Sequence, residues 1–482
     1  MVLFRLFDRS IGIVSTTILA RILVPADFGL VAMAMSVIAI IELATAFSFE
    51  LALIQKANPV REHFDTAWTL NILIALGGAV LTAALAYPAA SFYGDPRLVA
   101  VMFAIGAAWL VSGFENTGIA NFRRRMDFSA EFRWMSSKRV ASFIVTMIAA
   151  LAFRSYWALV VGMATGRITG VVMSYAMHPF RPRFALPRAR ELFSFSGWML
   201  GTNLVVVAVS RLPHIYVGRV FQAQLLGAYT VGSEIAHLAL TELVAPINRA
   251  MFPGYARLVD DPETLRRVCI EATAAILLVV LPVSAAVAVL AEPIVRVLLG
   301  EKWQDAVPII QILAFAGAIA AVISNNMTVY LALGKPYLST LVLATRAVVF
   351  LIGVAVFVSG SGVVAVAWAE FVAAVGYLAV GLPVLFSSMR LRTSDYIHAL
   401  WRPLLASALG AAAVHSAVSE LGRSESFSVA LLQLVVGLAV GSLVYPAALW
   451  LLWNLAGRPE AIETILGRRI RDALHKLGRR GP

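Results

Sequence analysis

Arginines and glutamates stand inside runs of sequence that are otherwise apolar. Arg167 and Arg346 lie near the centres of two such runs, and Arg211 sits toward one end of a third. Glu42, Glu234 and Glu370 occupy the middles of three more, with Glu115 and Glu242 nearer their ends. A charge at depth in hydrocarbon costs several kcal/mol, about 2.5–3.5 at the low end, so such groups persist where they face a partner or water. One chemistry they offer is anion binding, because the planar guanidinium fork matches phosphate oxygens. The carboxylates would then carry coupling protons or cations. The competing chemistry is ion pairing between helices, or snorkelling to headgroups. Arg21 and Arg219 fall near an expected membrane face, where snorkelling competes with binding. Asn203, Asn325 and Asn326 suit sugar hydroxyls, and suit helix–helix hydrogen bonding equally well.

Other chemistries have little support. The seven histidines are scattered, and none forms a His-Glu-x-x-His pair of zinc ligands. There is no Gly-x-x-x-x-Gly-Lys-Ser/Thr loop to cradle nucleotide phosphates. The expectation is a protein that is not an enzyme, with no catalytic residue, metal or cofactor. His214 and His237 are expected as packed or pore-lining residues. The single cysteine, Cys269, rules out an internal disulfide framework and reads as a small apolar residue.

The elements that must hold these residues follow from composition. Of 482 residues, 60% are hydrophobic and 14% are charged, against roughly 25% charged in a soluble domain. Apolar stretches of about 20 residues, enough to span a bilayer, recur with short polar hinges between them. The sequence predicts an all-α polytopic membrane protein of about fourteen transmembrane helices. They are placed at 2–23, 28–50, 65–90, 97–119, 140–153, 156–177, 194–218, 223–249, 268–291, 306–333, 337–358, 362–386, 401–419 and 428–453. The first is read as retained, since Arg5, Asp8 and Arg9 interrupt it and no small-residue cleavage site follows.

The net charge of +12 is distributed by membrane side, which makes nucleic acid an unneeded partner. With the N-terminus in the cytoplasm, 29 Lys and Arg fall on cytoplasmic segments, seven on the other side and three inside helices. That bias predicts both termini in the cytoplasm of a multi-pass bacterial inner-membrane protein. The tail at 457–482 places apolar residues at helical spacing among cations and predicts an amphipathic helix on the cytoplasmic leaflet. The loop Asn121–Arg139 has a similar composition.

The sequence also repeats itself. Ala20–Met33, ARILVPADFGLVAM, aligns with Gly218–Val231, GRVFQAQLLGAYTV, so that Arg21 meets Arg219 and Gly29 meets Gly227. Phe92–Pro96, FYGDP, aligns with Leu298–Lys302, LLGEK. The expectation is two parallel six-helix repeats, 1–177 and 194–386, around a central cavity, followed by two extra helices at 401–453. Transporters built from parallel repeats hold substrate between the halves and rock one against the other.

The stretch ILARILVPADFGLVAM resembles the opening of Wzx-type oligosaccharide flippases, in the polysaccharide transport branch of the multidrug/oligosaccharidyl-lipid/polysaccharide exporter superfamily. ALIQKANPVREHFDTAWTLNI, FYGDPRL, NFRRRMDFSAEFR, VGRVFQAQLLGAYTVG, MFPGYARLVDDPETLRR, AEPIVRVLLGEKWQDAVPIIQILAFAG and YLALGKPYLST extend the resemblance over most of the chain. The stretch before Ala20 is shorter than the resemblance leads one to expect. The resemblance implies that a polyprenyl-pyrophosphate-linked oligosaccharide is flipped to the periplasmic leaflet for surface polysaccharide biosynthesis. It implies membrane lipids as partners, with a polysaccharide polymerase and export machinery nearby. An antiporter of the same fold, for drugs or ions, is the alternative. A membrane polymerase or ligase is disfavoured by short outer loops, the longest expected at 292–305.

Overall fold

The computed structural model describes residues 2–44, 49, 53, 54, 56, 58–196, 200–238, 240–357, 362–422, 424 and 426–458. The amphipathic tail predicted beyond Gly457 lies outside these almost entirely. Among the described residues every regular element is a helix. That follows from the solvent, since a backbone crossing hydrocarbon must satisfy its own polar groups.

The long helices are α1 (Val2–Ile22), α2 (Pro25–Ala44), α3 (Arg61–Tyr93), α4 (Arg97–Ser112), α5 (Phe128–Phe153) and α6 (Trp157–Met177). A short helix, α7 (Ala189–Ser196), precedes α8 (Leu200–Ala236) and α9 (Ala245–Arg257). Then come α10 (Pro262–Val289), α11 (Ala306–Ala332), α12 (Pro336–Phe357), α13 (Gly362–Met389), α14 (Thr393–Ser419) and α15 (Phe427–Leu455).

Ten helices among the described residues are long and apolar enough to cross a membrane. There are eleven if the bent pair Arg97–Ser112 and Thr117–Arg124 makes one span. The expected count of fourteen is reached only if less apolar helices cross as well. The obvious ones are α1, interrupted by Asp8 and Arg9, and α8, which carries Arg211, Arg219 and Glu234.

Several helices start earlier than their apolar runs predict, because capping residues lie outside those runs. The side chain of Asp127 accepts from Ala130 N, so α5 begins at Phe128 rather than at 140 and absorbs much of the predicted basic loop. Asp261 does the same for α10 through Thr264 N, moving its start from 268 to Pro262. The break expected between 194–218 and 223–249 falls at Gln222, whose φ of 61° and ψ of −173° are not helical, so α8 is two helices joined at a kink, the second starting at Ala223 and ending at Ala236 rather than 249. Past Ala236 the chain makes a π-helical turn at Leu240–Val244 before α9. The outer connection predicted at 292–305 is a chain of short helical turns.

The chain divides into two compact units. The first runs to Thr230 and includes Leu298–Lys302; the second holds Val231–Val297 and everything from Trp303 onward. In the first, α5 packs on α6, α3 on α4, α4 on α6 and α1 on α5. In the second, α12 packs on α13 and α14 on α15, while α11 lies against α10 and α13. Tyr255, Cys269, Ile323, Tyr330, Val342 and Tyr377 belong to a buried core of the second unit.

Gly29 of α2 and Gly227 of α8 make the tightest helix crossing in the first unit. A Cβ on Gly29 would overlap the carbonyl oxygen of Ala223, and a Cβ on Gly227 would overlap the carbonyl oxygen of Pro25. Only glycine permits backbones to approach this closely.

Candidate functional site

In the first unit, the predicted site residues divide by their neighbours. Arg167 on α6 lies 3.6 Å from the carboxylate of Glu42 on α2, and its Nη1 donates to Ser112 Oγ at 3.3 Å. Both charges are only partly buried. Lys138 of α5 and Glu115 approach to 3.4 Å, and the Lys138 ammonium lies 4.2 Å from the Trp134 ring centre. Arg211 of α8 is partly buried and forms no ion pair among the described residues. One turn on, the His214 ring meets Tyr229 edge to face at 5.5 Å. Arg219 is exposed and lies over Phe92 at 5.4 Å, and Arg21 is exposed too. The Asn203 side chain lies outside the described residues.

Two polar features of this unit escaped the sequence reading. Asp27 accepts from Val24 N at 3.1 Å and from Tyr156 N at 3.0 Å, tying the start of α2 to the α5–α6 turn. Its i,i+3 position before an apolar run was a legible capping signal; its distant partner was not. The second is an extended strap after α6, residues 178–188, that runs along the start of α3. Arg183 N donates to Asp65 Oδ1 at 2.9 Å, Ala185 N to Thr69 Oγ1 at 3.0 Å, and Asn116 Nδ2 to the Phe180 carbonyl at 2.7 Å. Phe184 packs on Trp68.

The strap ends in an electrostatic clasp. Glu191 pairs with Lys56 and accepts from His63 Nε2 at 3.3 Å. Val60 N donates to His63 Nδ1, so the neutral ring carries its hydrogen on Nε2, toward Glu191. Lys56 beside it, and then His63, hold the Glu191 carboxyl below the usual carboxylate range. Burial, then the charges of Arg125 and Arg181, push the His178 imidazole below its ordinary value. In the turn between α3 and α4, the Arg97 hydrogen bond lowers Asp95 likewise.

In the second unit, Asn325 is fully buried and belongs to packing. Tyr255 Oη donates to its Oδ1 at 2.9 Å, and its Nδ2 donates to Thr273 Oγ1 at 2.8 Å. Asn326 is fully buried as well, and neither of its polar side-chain atoms has a partner among the described residues. Arg346 on α12 is partly buried and makes no ion pair among the described residues. His237, just past α8 and expected as a packed or pore-lining residue, feels the charges of both Glu370 and Arg346. Glu234 is exposed. In the same unit α10, α11, α13 and α14 line an almost wholly apolar, partly open cavity of about 640 Å³, with Leu277, Phe315, Trp368, Leu378 and Leu404 on its walls.

These are the features of a helical membrane carrier, with arginines at depth and apolar surface around them. Residues 18–308 match the protein family described as "Polysaccharide biosynthesis protein", which is more than half of the chain, and the protein belongs to that family. It is 25% identical over 439 residues to the succinoglycan biosynthesis transport protein ExoT of Rhizobium meliloti, covering 90% of this chain and 87% of that one. It is 24% identical to the teichuronic acid biosynthesis protein TuaB of Bacillus subtilis, covering 82% and 83%, respectively. It is 21% identical to the lipopolysaccharide biosynthesis protein WzxC of Escherichia coli, covering 82% and 81%. Among solved structures, the fold is that of the lipid II flippase MurJ in an inward closed conformation, with a TM-score of 0.72 at 12% identity over 95% of this chain and all of that one. An inward-facing multidrug MATE transporter gives 0.61 at 16% identity, over 81% of this chain and 95% of that one.

Proposed function

We infer that the protein is a flippase for a polyprenyl-pyrophosphate-linked oligosaccharide, serving surface polysaccharide biosynthesis from the bacterial inner membrane, with both termini in the cytoplasm. The observation that carries this reading is Arg346. It is a permanently charged side chain on the long apolar helix α12, without an ion pair among the described residues. A cation held there at a cost of several kcal/mol is expected to face a passage used by an anion. A pyrophosphate fits it, because guanidinium donors match phosphate oxygens in pairs. Arg211 offers a similar contact in the first unit, whereas Arg167 is balanced by Glu42. The relatives' names, which speak of succinoglycan, teichuronic acid and lipopolysaccharide biosynthesis, support a glycan cargo.

The apolar cavity of the second unit suits a prenyl tail, which need not leave a hydrocarbon environment while its headgroup crosses. No bond is made or broken in this reading, so it needs no catalytic residue. Alternating access, with the passage open to one side at a time, is the mechanism proposed for it.

Deleting the gene in its host and locating the lipid-linked repeat units tests the reading. The expectation is that they accumulate on the cytoplasmic face. Repeat units that still reach the periplasm, with only their polymerisation stopped, would favour an enzyme instead.

A further inference from the structure

Along α6, glycines recur every fourth residue, at Gly162, Gly166 and Gly170. They make a groove that lets α5 approach closely, as small residues do where helices pack in a membrane. Two small polar side chains of α5 fill its first two positions. A Cβ on Gly162 would overlap Thr146 Oγ1, and one on Gly166 would stand 3.4 Å from the Cβ of Ser142. The third position holds a lysine. Lys138 comes one turn before Ser142 in the same register, and a Cβ on Gly170 would stand 2.8 Å from its Cε and 3.0 Å from its Nζ. The groove carries a charge where packing asks for a small residue.

The ammonium is held in place. It lies 4.2 Å from the centre of the Trp134 ring, and Trp134 Nε1 donates to the Gly170 carbonyl at 3.2 Å. Glu115, just past α4, brings its Oε2 to 3.4 Å. Arg167 stands three residues before Gly170 on α6, and its hydrogen-bond partner Ser112 stands one turn before Glu115. Residues three apart on a helix have Cβ positions about 5–6 Å apart. Lys138, lying at the Gly170 position, and Arg167 are therefore neighbours on α6. Each cation meets a carboxylate from outside the α5–α6 hairpin, Glu115 for Lys138 and Glu42 of α2 for Arg167. The four side chains are between 24% and 43% exposed. Charges this open within a bundle of apolar helices are costly against lipid, so the side they expose faces water. Ion pairs that water reaches are weakly held, and a more highly charged anion can take the place of the carboxylates.

We propose that Lys138 and Arg167 are a paired binding site for the two phosphates of the headgroup, and that Glu115 and Glu42 are the anions they hold in its absence. The inference rests on the reading of the cargo as a pyrophosphate-linked lipid, and it is independent of Arg346. A diphosphate meets both cations at once, one for each phosphate, whereas a single phosphate meets one. The ammonium, positioned by Trp134, and the forked guanidinium donate to different phosphate oxygens. The pair selects a diphosphate over a monophosphate on the same tail.

Binding of farnesyl pyrophosphate, farnesyl monophosphate and farnesol to the purified full-length protein in detergent tests this. Wild type is expected to bind the pyrophosphate on the order of tenfold tighter than the monophosphate, the worth of one further charge-assisted contact, and Lys138→Gln to lose most of that preference. Glu115→Gln removes the competing carboxylate and should bind the pyrophosphate more tightly than wild type, a gain that mere structural damage does not produce. Arg139→Gln is the matched control. That arginine is next in sequence but pairs at 2.9 Å with Asp8 of α1, so losing its charge should leave the preference at the wild-type value. A Lys138→Gln protein that keeps the preference overturns the proposal. So does a Glu115→Gln protein that binds more weakly than wild type, or an Arg139→Gln protein that loses the preference as far as Lys138→Gln does, since the effect would then be one of net charge. Lys138→Met, judged by the same criteria, replaces the glutamine variant if gel filtration shows that it has not folded. A wild type that binds farnesol as tightly as farnesyl pyrophosphate removes the headgroup reading itself and this site with it; a wild-type preference that Lys138→Gln leaves unchanged removes the site alone.

Discussion

Gly29 and Gly227 sit reciprocally across one helix crossing: each is pressed against the backbone at the start of the other's helix, Gly29 on Ala223 and Gly227 on Pro25. The four residues share one offset, since 198 positions separate Pro25 from Ala223 as they separate Gly29 from Gly227. Reciprocal contacts of this kind are the mark of a two-fold relationship. The same offset carries Val24, in the break between α1 and α2, onto Gln222, where α8 bends. At both places a break in the helix is followed five residues later by a glycine contact.

Replacing either glycine with valine should force the two backbones apart. Overpacking a close contact costs about 1–3 kcal/mol, and here the obstacle is a carbonyl oxygen that cannot rotate away. Gly29→Val and Gly227→Val are each expected to lower the thermal midpoint of the purified protein. The double variant should cost less than the sum of the two, because one separation relieves both clashes. Differential scanning fluorimetry in detergent checks this, and strict additivity would separate the two contacts.

The Asn325 network gives a second stability test. Asn325→Ala strands the buried hydroxyl of Tyr255 and removes the donor to Thr273 Oγ1, whose own hydrogen still goes to the Cys269 carbonyl; the loss should cost on the order of 1–3 kcal/mol. Tyr255→Phe removes one donor and should cost less. Headgroup affinity in a variant that still folds should match wild type, since the side chain is closed off from any ligand. A selective loss of affinity at unchanged stability would return Asn325 to the site.

The strap should respond to acid. The folded-state value of Glu191 is lowered, chiefly by Lys56, so its contribution is complete above the ordinary carboxylate value and is lost as pH falls through the lowered one. His178 is lowered by burial. Below the ordinary histidine value the released strap binds protons more readily than the docked one, so docking weakens from there downward. Both shifts act in the same direction, His178 first and Glu191 at lower pH. A spin label at Leu186→Cys, with Cys269 buried and unreactive, should gain mobility as pH is lowered from 7 to 4. Glu191→Gln should raise mobility at pH 7.

Much of this architecture was legible because bilayer physics writes it plainly. Twenty apolar residues between polar hinges mark a helix wherever they occur, and α6, α11, α12 and α15 lie within a few residues of their predicted places. Boundaries failed where a polar cap stood outside the apolar run, as Asp127 and Asp261 do. The break at Gln222 falls where two separate helices were expected, although the backbone angle that makes it leaves no mark in composition. Of the candidate site, the arginines were legible because a charge in hydrocarbon stands out. Their neighbours were not. Nothing near residue 237 in sequence reveals that the charges of Glu370 and Arg346 act on His237, and nothing near Asp65 points to a strap more than a hundred residues away. Asn325, polar in an apolar run, was indistinguishable from a ligand residue until its hydrogen bonds with Tyr255 and Thr273 were seen.

Transport itself is the most direct test. Reconstituted liposomes carrying a fluorescent polyprenyl-pyrophosphate-linked oligosaccharide, native to the host, allow the label in the outer leaflet to be quenched with a membrane-impermeant reductant. The account predicts that wild type lets essentially all of the label be quenched, while protein-free liposomes and Arg346→Ala, inserted to the same level, leave the inner-leaflet half protected. Wild-type liposomes that keep that half protected, or Arg346→Ala liposomes that behave as wild type, would contradict it.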